Sequence, residues 1–223
     1  MSEITTWITQ HGVTEQMLIL LLFIPIIATI VNLSRYLIGF KTLGIYAPMT
    51  LSFAYIFTGI RFGLLVTLAV ILSTLLTYSL LKKIRMHYLS RITINYILIS
   101  VLVVGVIVLN DVSPISLTTE HHDATTIPPL GVILIATLSD FFIKQYVKKD
   151  FLNSARSLGE TVLVGIAGWL ALRSPQLQQF VLNNVWIFLI LLLVNLGLGK
   201  YTGMRFKDLL RFEQILKNDK SSS

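Results

Sequence analysis

The chain has 223 residues, of which 54% are hydrophobic and 13% charged, and its formal net charge is +7 at pH 7. A mean hydropathy of +0.77 excludes an ordinary water-soluble core of this size and indicates a protein that lies in a lipid bilayer. The chain contains no Cys, which excludes a disulfide framework, a thiolate metal site and a Cys nucleophile.

Seven stretches of the chain are long and apolar enough to cross a hydrocarbon core of about 30 Å. We therefore predict an all-α, polytopic membrane protein with seven transmembrane helices. In chain order, the predicted helices cover residues 17–38, 43–60, 62–81, 92–110, 127–146, 158–173 and 180–199. Residues 1–16 form the predicted extracytoplasmic N-terminal segment, 17–199 the membrane domain, and 200–223 a cytoplasmic, basic, amphipathic tail.

The distribution of Lys and Arg predicts the orientation of the chain. With the N-terminus outside, every Lys and Arg except Arg61 and Arg173 falls on the inner side of the membrane. Basic residues of membrane proteins usually mark the cytoplasmic side. The positive charge therefore indicates topology, with the C-terminus in the cytoplasm, and nucleic-acid binding is not expected.

A weak internal repeat links two segments of the chain. LGIYAPMTLS at 43–52 resembles LGVILIATLS at 130–139, at a shift of 87 residues. The same shift carries the third predicted helix roughly onto the sixth and the fourth onto the seventh. Because each unit then has three helices, the second crosses the membrane in the opposite direction. The pattern predicts one N-terminal helix followed by a 3+3 inverted-topology repeat, with units at about 43–110 and 127–199.

Both repeat segments contain Gly and Pro, which favour broken or kinked helices two and five. A Pro frees a backbone carbonyl that lipid cannot satisfy, so such positions tend to face protein, a ligand or a water-filled cavity. The alternative is that Pro128 and Pro129 only begin a helix and Pro48 only kinks one. The predicted binding or translocation path comprises Gly44, Pro48, Thr50, Ser52, Pro129, Gly131, Thr137, Ser139 and Asp140.

Asp140 is the acid that we expect to lie within the membrane, where an unpaired carboxylate is costly. A functional role competes with an interfacial position in which Lys144, one helical turn later, pairs with it. Glu160 has the spacing of a capping box with Ser157 and is interpreted as structural. Asn32 and Asn195 are interpreted as hydrogen-bonding groups between helices.

No metal site, cofactor or catalytic residue is predicted. The sequence from Glu120 to Asp123 contains two His, but no other part of the chain supplies convergent ligands, so it is interpreted as a solvated loop. Zinc-protease, nucleophile-elbow and phosphate-loop motifs are missing from the sequence. We therefore expect the protein not to be an enzyme.

Two segments resemble a known family. GFKTLGIYAPMTLSFAYIFTGIRFG at 39–63 and GKYTGMRFKDLLRFEQIL at 199–216 are similar to the seven-helix membrane domain that commonly follows an inactive transglutaminase-like domain in bacterial proteins. More distantly, the second and fifth helices resemble the membrane subunit of poly-gamma-glutamate synthase, or capsule biosynthesis C subunit. Only sixteen residues precede the first predicted helix, so we expect this chain to lack the transglutaminase-like domain.

The resemblance implies a bacterial inner-membrane protein that works beside a separate amide-bond-forming ligase, of the ATP-grasp type in the first family. We expect a non-catalytic subunit that recruits this cytoplasmic ligase and assists synthesis or export of its peptide or polymer product. The alternative is an autonomous secondary transporter of a small solute. A homo-oligomer also stays open. The residues predicted to dock the partner are Lys200, Tyr201, Thr202, Gly203, Arg205 and Arg211.

Overall fold

In a computed structural model of the chain, every regular element is a helix within the described residues, which are 7, 11–81, 84, 86–112, 129–146, 151–184 and 186–200. The bounds are α1 Glu15–Leu33, α2 Tyr46–Thr58, α3 Ile60–Leu81, α4 Tyr88–Val112, α5 Pro129–Tyr146, α6 Phe151–Arg173, α7 Pro175–Asn183 and α8 Ile187–Lys200. A π-helical turn, Ser34–Ile38, extends α1. The all-helical prediction is confirmed.

Four described helical segments are long and apolar enough to cross a membrane. They are Glu15–Ile38, Ile60–Leu81, Tyr88–Val108 and Asn153–Arg173, and α7 and α8 together form a fifth candidate that is bent by 101°. The seventh predicted span is therefore not one straight helix. α2 has 13 residues and is about 20 Å long, shorter than the hydrocarbon core of about 30 Å.

The shortness of α2 follows from the glycines around it. Gly44 and Gly59 have φ angles of 94° and 75°, a left-handed region that other residues rarely adopt. Gly59 is the single residue between α2 and α3, so the chain reverses sharply there. Within the described residues α2 is continuous, and the irregular backbone lies before it, in residues 39–45, which we call the linker.

α2 and α5 lie side by side in the centre of the bundle. α2 also packs against α6, while α5 packs against α3. Exchanging the two predicted repeat units would exchange these two contacts, which is the packing that an inverted repeat would produce. The repeat itself stays a prediction, and its last helices differ, because α4 is continuous whereas α7 and α8 are bent.

Two groups of buried apolar side chains hold the helices together. The larger joins α2 to α5 with α3 and α4, through residues that include Leu51, Tyr55, Val66, Ile99 and Leu138. The smaller joins α1 to α6 and α7, through residues that include Phe23, Ile27, Val164 and Val181. Many leucines outside these groups are exposed in the isolated chain, as expected for helices that face lipid.

Candidate functional site

The linker, residues 39–45, is irregular backbone inside a bundle of apolar helices. Gly39 has a φ angle of 88° and ends the π-helical turn of α1. Thr42 and Leu43 are buried, and the Thr42 hydroxyl donates to the Gly44 carbonyl at 3.0 Å. Buried backbone amides and carbonyls need hydrogen-bond partners from protein or water. The neighbours of the linker are therefore informative.

Two side chains of α6 bind the backbone of the linker. The Lys41 amide donates to the Glu160 carboxylate, and the Leu43 amide donates to the Thr161 hydroxyl at 2.9 Å. Arg156, one turn before Glu160, donates to the other carboxylate oxygen at 3.3 Å. We call this arrangement the linker clamp. It holds the segment that leads into α2 against α6.

The capping-box interpretation of Glu160 is wrong. α6 begins at Phe151, so Ser157 and Glu160 lie in its interior rather than at its first turn. The Ser157 hydroxyl instead accepts a hydrogen bond from the Gln145 side chain of α5 at 2.8 Å. One sequence signal could have identified the clamp, because an acid inside an apolar helix requires a partner. Glu160 is only 7% exposed.

The predicted path residues of α2 make local hydrogen bonds. Pro48 lies in the first turn of α2, where a missing amide donor leaves no gap in the helix. The described part of α2 is thus not broken at Pro48. The Thr50 hydroxyl donates to the Ala47 carbonyl at 3.0 Å, and the fully buried Ser52 hydroxyl lies 2.9 Å from the Pro48 carbonyl.

Ser52 also lies where α2 approaches α6 closely. Its hydroxyl lies 3.0 Å from the Gly165 carbonyl of α6. A Cβ atom added at Gly168 would lie 2.2 Å from the Ser52 hydroxyl and 2.9 Å from its Cβ. The contact therefore depends on the absence of a side chain at Gly168. This proximity places Glu160 and Thr161 within reach of the linker.

The corresponding residues of α5 are placed in a similar way. Pro129 is exposed at the first position of α5, which continues unbroken to Tyr146 among the described residues. The structure does not describe Pro128. Hydroxyls again bond to the backbone one turn earlier, Thr137 to Leu134 at 2.7 Å and Ser139 to Ala136 at 2.8 Å. That these side chains line a path stays a prediction.

Gly131 marks the close approach of α5 to the other end of α2. A Cβ atom there would lie 2.5 Å from the Thr58 methyl and 3.4 Å from the Ala54 carbonyl. The beginning of α5 thus lies beside the end of α2, as expected for antiparallel neighbours. Gly44 and Gly131, which the predicted repeat pairs, differ in role. Gly44 adopts a positive φ angle, whereas Gly131 allows the close contact between α5 and α2.

Asp140 lies between α5 and α4. One carboxylate oxygen, Oδ2, accepts a hydrogen bond from the Tyr96 hydroxyl at 3.3 Å, which is long for this type of bond. The other oxygen, Oδ1, is buried and has no hydrogen-bond partner among the described residues. Lys144 is exposed, and in the described part of the chain no ion pair joins it to Asp140. We call Asp140 and Tyr96 the acid site.

Asn32 and Asn195 form the predicted hydrogen bond between helices. The Asn32 amide donates to the Asn195 carbonyl oxygen at 2.8 Å, and the Asn195 amide donates to Thr29 at 2.8 Å. This confirms the interpretation and fixes α8 against α1. Of the predicted docking residues, Lys200 is the exposed last residue of α8. Tyr201, Thr202, Gly203, Arg205 and Arg211 lie outside the described residues, as does the segment from Glu120 to Asp123.

One end of the bundle carries exposed cations. Arg35 and Lys41 lie near the end of α1, Lys144 lies near the end of α5, and Arg156 lies near the beginning of α6. Hydrogen bonds of the linker and α5 to α6 bring these segments together. We call the four residues the basic end. Arg61 and Arg173 are exposed at the helix ends on the other side.

The opposite end of the bundle contains an open cleft of about 450 Å³. It is lined by Gln16, Ile19 and Leu20 of α1, Ile56 and Phe57 of α2, Leu172 of α6 and Gln178 of α7. Its lining is largely apolar and includes two side-chain amides. No residue of the predicted path belongs to this lining.

These features define an all-helical membrane protein with an irregular linker, a linker clamp and a half-buried acid between helices. The family described as seven transmembrane helices usually fused to an inactive transglutaminase matches residues 4–216, and the chain belongs to this family. The first predicted resemblance is thereby confirmed, whereas the relation to poly-gamma-glutamate synthase stays a prediction. No curated protein and no solved structure matches the chain.

Proposed function

We propose that this protein is a non-catalytic membrane subunit that recruits a cytoplasmic ATP-dependent peptide or amide ligase and assists synthesis or export of its product. Membership of a family usually fused to an inactive transglutaminase supports a membrane role without chemistry of its own. The proposal places the protein in the bacterial inner membrane, with its N-terminus outside and residues 200–223 in the cytoplasm.

The basic end carries the proposal. Its four exposed cations come from separate segments of the chain, and the hydrogen bonds of α6 hold these segments together. Basic residues of this kind mark the cytoplasmic side of membrane proteins. They also offer a positively charged surface to a soluble partner, because clustered charges of one sign speed and orient association. A ligase with an acidic docking surface would be attracted to it.

Purification in a mild detergent at low salt tests the recruitment. We expect the protein to retain an amide-forming, ATP-hydrolysing ligase, and we expect retention to fall steeply as the salt concentration rises. Reversing the charge of the basic end with Arg35→Glu and Lys41→Glu should release the ligase. The matched control is Arg61→Glu at the opposite end, which should retain it.

Two outcomes contradict the recruitment. One is purified protein that carries no ligase at any salt concentration. The other is equal retention by the charge-reversed variant and by the Arg61 control, which would exclude the basic end as the docking surface. Equal yields of the variants in the membrane fraction ensure that the comparison concerns binding rather than insertion.

The acid site favours a second candidate function, an autonomous secondary transporter of a small solute. A carboxylate with an unpaired buried oxygen inside a membrane domain is a typical position for proton coupling. Purified protein in liposomes would then accumulate solute when a proton gradient is applied, and Asp140→Asn would abolish the accumulation. Accumulation without any ligase would favour this function over the first.

A further inference from the structure

We propose that the acid site binds the primary ammonium group of the peptide product, with Asp140 Oδ1 as the acceptor and Tyr96 holding the carboxylate in place. The identity of the ligand rests on the proposed function, because a peptide made by an amide ligase carries a free terminal ammonium group. The binding itself is argued from the geometry of Asp140.

The carboxylate of Asp140 has fewer hydrogen-bond partners in the described part of the chain than it can accept. An ionised carboxylate has about four acceptor positions, and here one long hydrogen bond from Tyr96 occupies one of them. Oδ1 is buried without a partner, and no described Lys, Arg or His forms an ion pair with the group. A buried acceptor without a donor is costly, and a ligand with several donors would supply the missing hydrogen bonds.

Asp140 lies nearer to the basic end of α5 than to its opposite end. Asp140 lies six residues before the last residue of α5, which is about 9 Å along the helix. Tyr88, the exposed first residue of α4, is close enough for electrostatic interaction with Asp140. Asp140 is partly exposed although Oδ1 is covered, so a flexible peptide end reaches Oδ1 once the side chain rotates.

The chemistry around Asp140 favours an ammonium group. An ammonium group donates three hydrogen bonds and carries the charge that neutralises the carboxylate. The phenol rings of Tyr88 and Tyr96 are polarisable neighbours that attract an organic cation when it lies over a ring face. An inorganic cation would instead need several oxygen ligands. In the described part of the chain no group of three or more potential metal-binding side chains is present.

The test measures the binding of two dipeptide amides, which differ only in the terminal ammonium group, to the purified protein in detergent. Glycylglycine amide has one ammonium group and no carboxylate, and N-acetylglycylglycine amide lacks the ammonium group. We expect only the first to raise the unfolding temperature and to bind in calorimetry. Asp140→Asn should weaken its binding at least tenfold, because a charge-assisted hydrogen bond is lost. Tyr96→Phe, which keeps the ring, should weaken it severalfold.

Thr93→Ala is the control, because Thr93 is exposed on α4 and bonds only to the preceding turn. Equal binding of both probes, or binding of the free amine that survives Asp140→Asn, would overturn the proposal. Stabilisation by sodium or potassium chloride that depends on Asp140 while the amine has no effect would also overturn it. Because no ligase is present, failure of this test leaves recruitment at the basic end untouched, and loss of recruitment leaves amine binding untouched.

Discussion

α3 and α6 carry polar residues at positions that the predicted repeat relates to each other, and these residues bind different partners. A shift of 87 residues pairs Ser73 and Thr74 of α3 with Glu160 and Thr161 of α6. On α3, Ser73 and Thr77 donate to the side chain of Asn95 in α4 at 3.2 and 3.1 Å. On α6, the residues bind backbone amides of the linker. The polar residues of α3 thus join two helices of the same predicted unit. Those of α6 bind the linker, which leads into the first helix of the other unit.

This difference means that the two predicted repeat units have unlike interiors. The shift of 87 residues pairs buried polar positions on the two helices. Their partners depend on the segment that packs beside them. Beside α3 this segment is α4, with the buried side chain of Asn95. Beside α6 it is the irregular backbone of the linker. The following predictions test whether the linker clamp is the stronger of the two arrangements.

The largest effect is expected when α6 is pushed away from α2. Gly168→Ala places a methyl group 2.2 Å from the Ser52 hydroxyl and 2.9 Å from its Cβ, so the Ser52 side chain or a helix must shift. Overpacking of this kind destabilises a protein by about 3 kcal/mol at the upper end of its usual range. Thermal unfolding in detergent should show a large loss for this variant.

The matched control for Gly168→Ala is Gly159→Ala on the same helix. Nothing lies within 4 Å of a Cβ atom there, and Ala favours helix over Gly by up to about 1 kcal/mol. Equal stability of the two variants would mean that α6 does not approach α2 closely, and the linker clamp would lose its geometric basis.

A smaller but more specific effect is expected from Glu160→Ala. The substitution removes the carboxylate that accepts from the Lys41 amide in a part-buried hydrogen bond, at an expected loss of about 2 kcal/mol in the free energy of unfolding. It should also loosen the linker. Because the chain has no Cys, a single Thr42→Cys label reports this directly, since Thr42 is 6% exposed. We expect the thiol to react faster with a soluble maleimide when Glu160 is Ala.

Ser73→Ala, at the related position of α3, is the control for the linker clamp. It should leave the labelling rate of Thr42→Cys unchanged, because Ser73 bonds to α4 rather than to the linker. If both substitutions raised the labelling rate alike, the assignment of the linker to α6 would be contradicted.

A substitution in the first predicted unit is expected to lower the free energy of unfolding by less than Glu160→Ala does. Asn95 is fully buried, and Asn95→Ala removes its hydrogen bonds to Ser73 and Thr77, so a loss of about 1 kcal/mol is expected. Thr93→Ala, exposed on the same helix, should change the unfolding temperature little. A loss for Asn95→Ala larger than that for Glu160→Ala would reverse the ranking of the two arrangements.

The sequence predicted the helices better than it predicted their partners. Long apolar runs such as 62–81 correspond to a continuous helix, because membrane helices are defined mainly by length and hydropathy. The role of Glu160 was missed, because its partner is a backbone amide 119 residues away and its spacing to Ser157 imitates a local cap. The bend between α7 and α8 was also missed, since apolar composition does not encode direction.

The smallest effect concerns α1, which lies outside the predicted repeat. Asn195 of α8 bonds to Asn32 of α1, whereas the residue related to Asn195 by the shift is Val108, which is exposed on α4. The last helix of the second predicted unit thus bonds to α1 at a position where the last helix of the first unit has an exposed Val. A double-mutant cycle with Asn32→Leu and Asn195→Leu should give a coupling energy of about 0.6 kcal/mol, the average for such bonds in membranes. The same cycle with Asn32→Leu and Asn95→Leu should give none, because these amides bond to different helices. Coupling of equal size in both cycles would contradict this assignment. It would mean that the hydrogen bond between Asn32 and Asn195 adds no specific coupling energy, so the difference between the two predicted units would not affect stability.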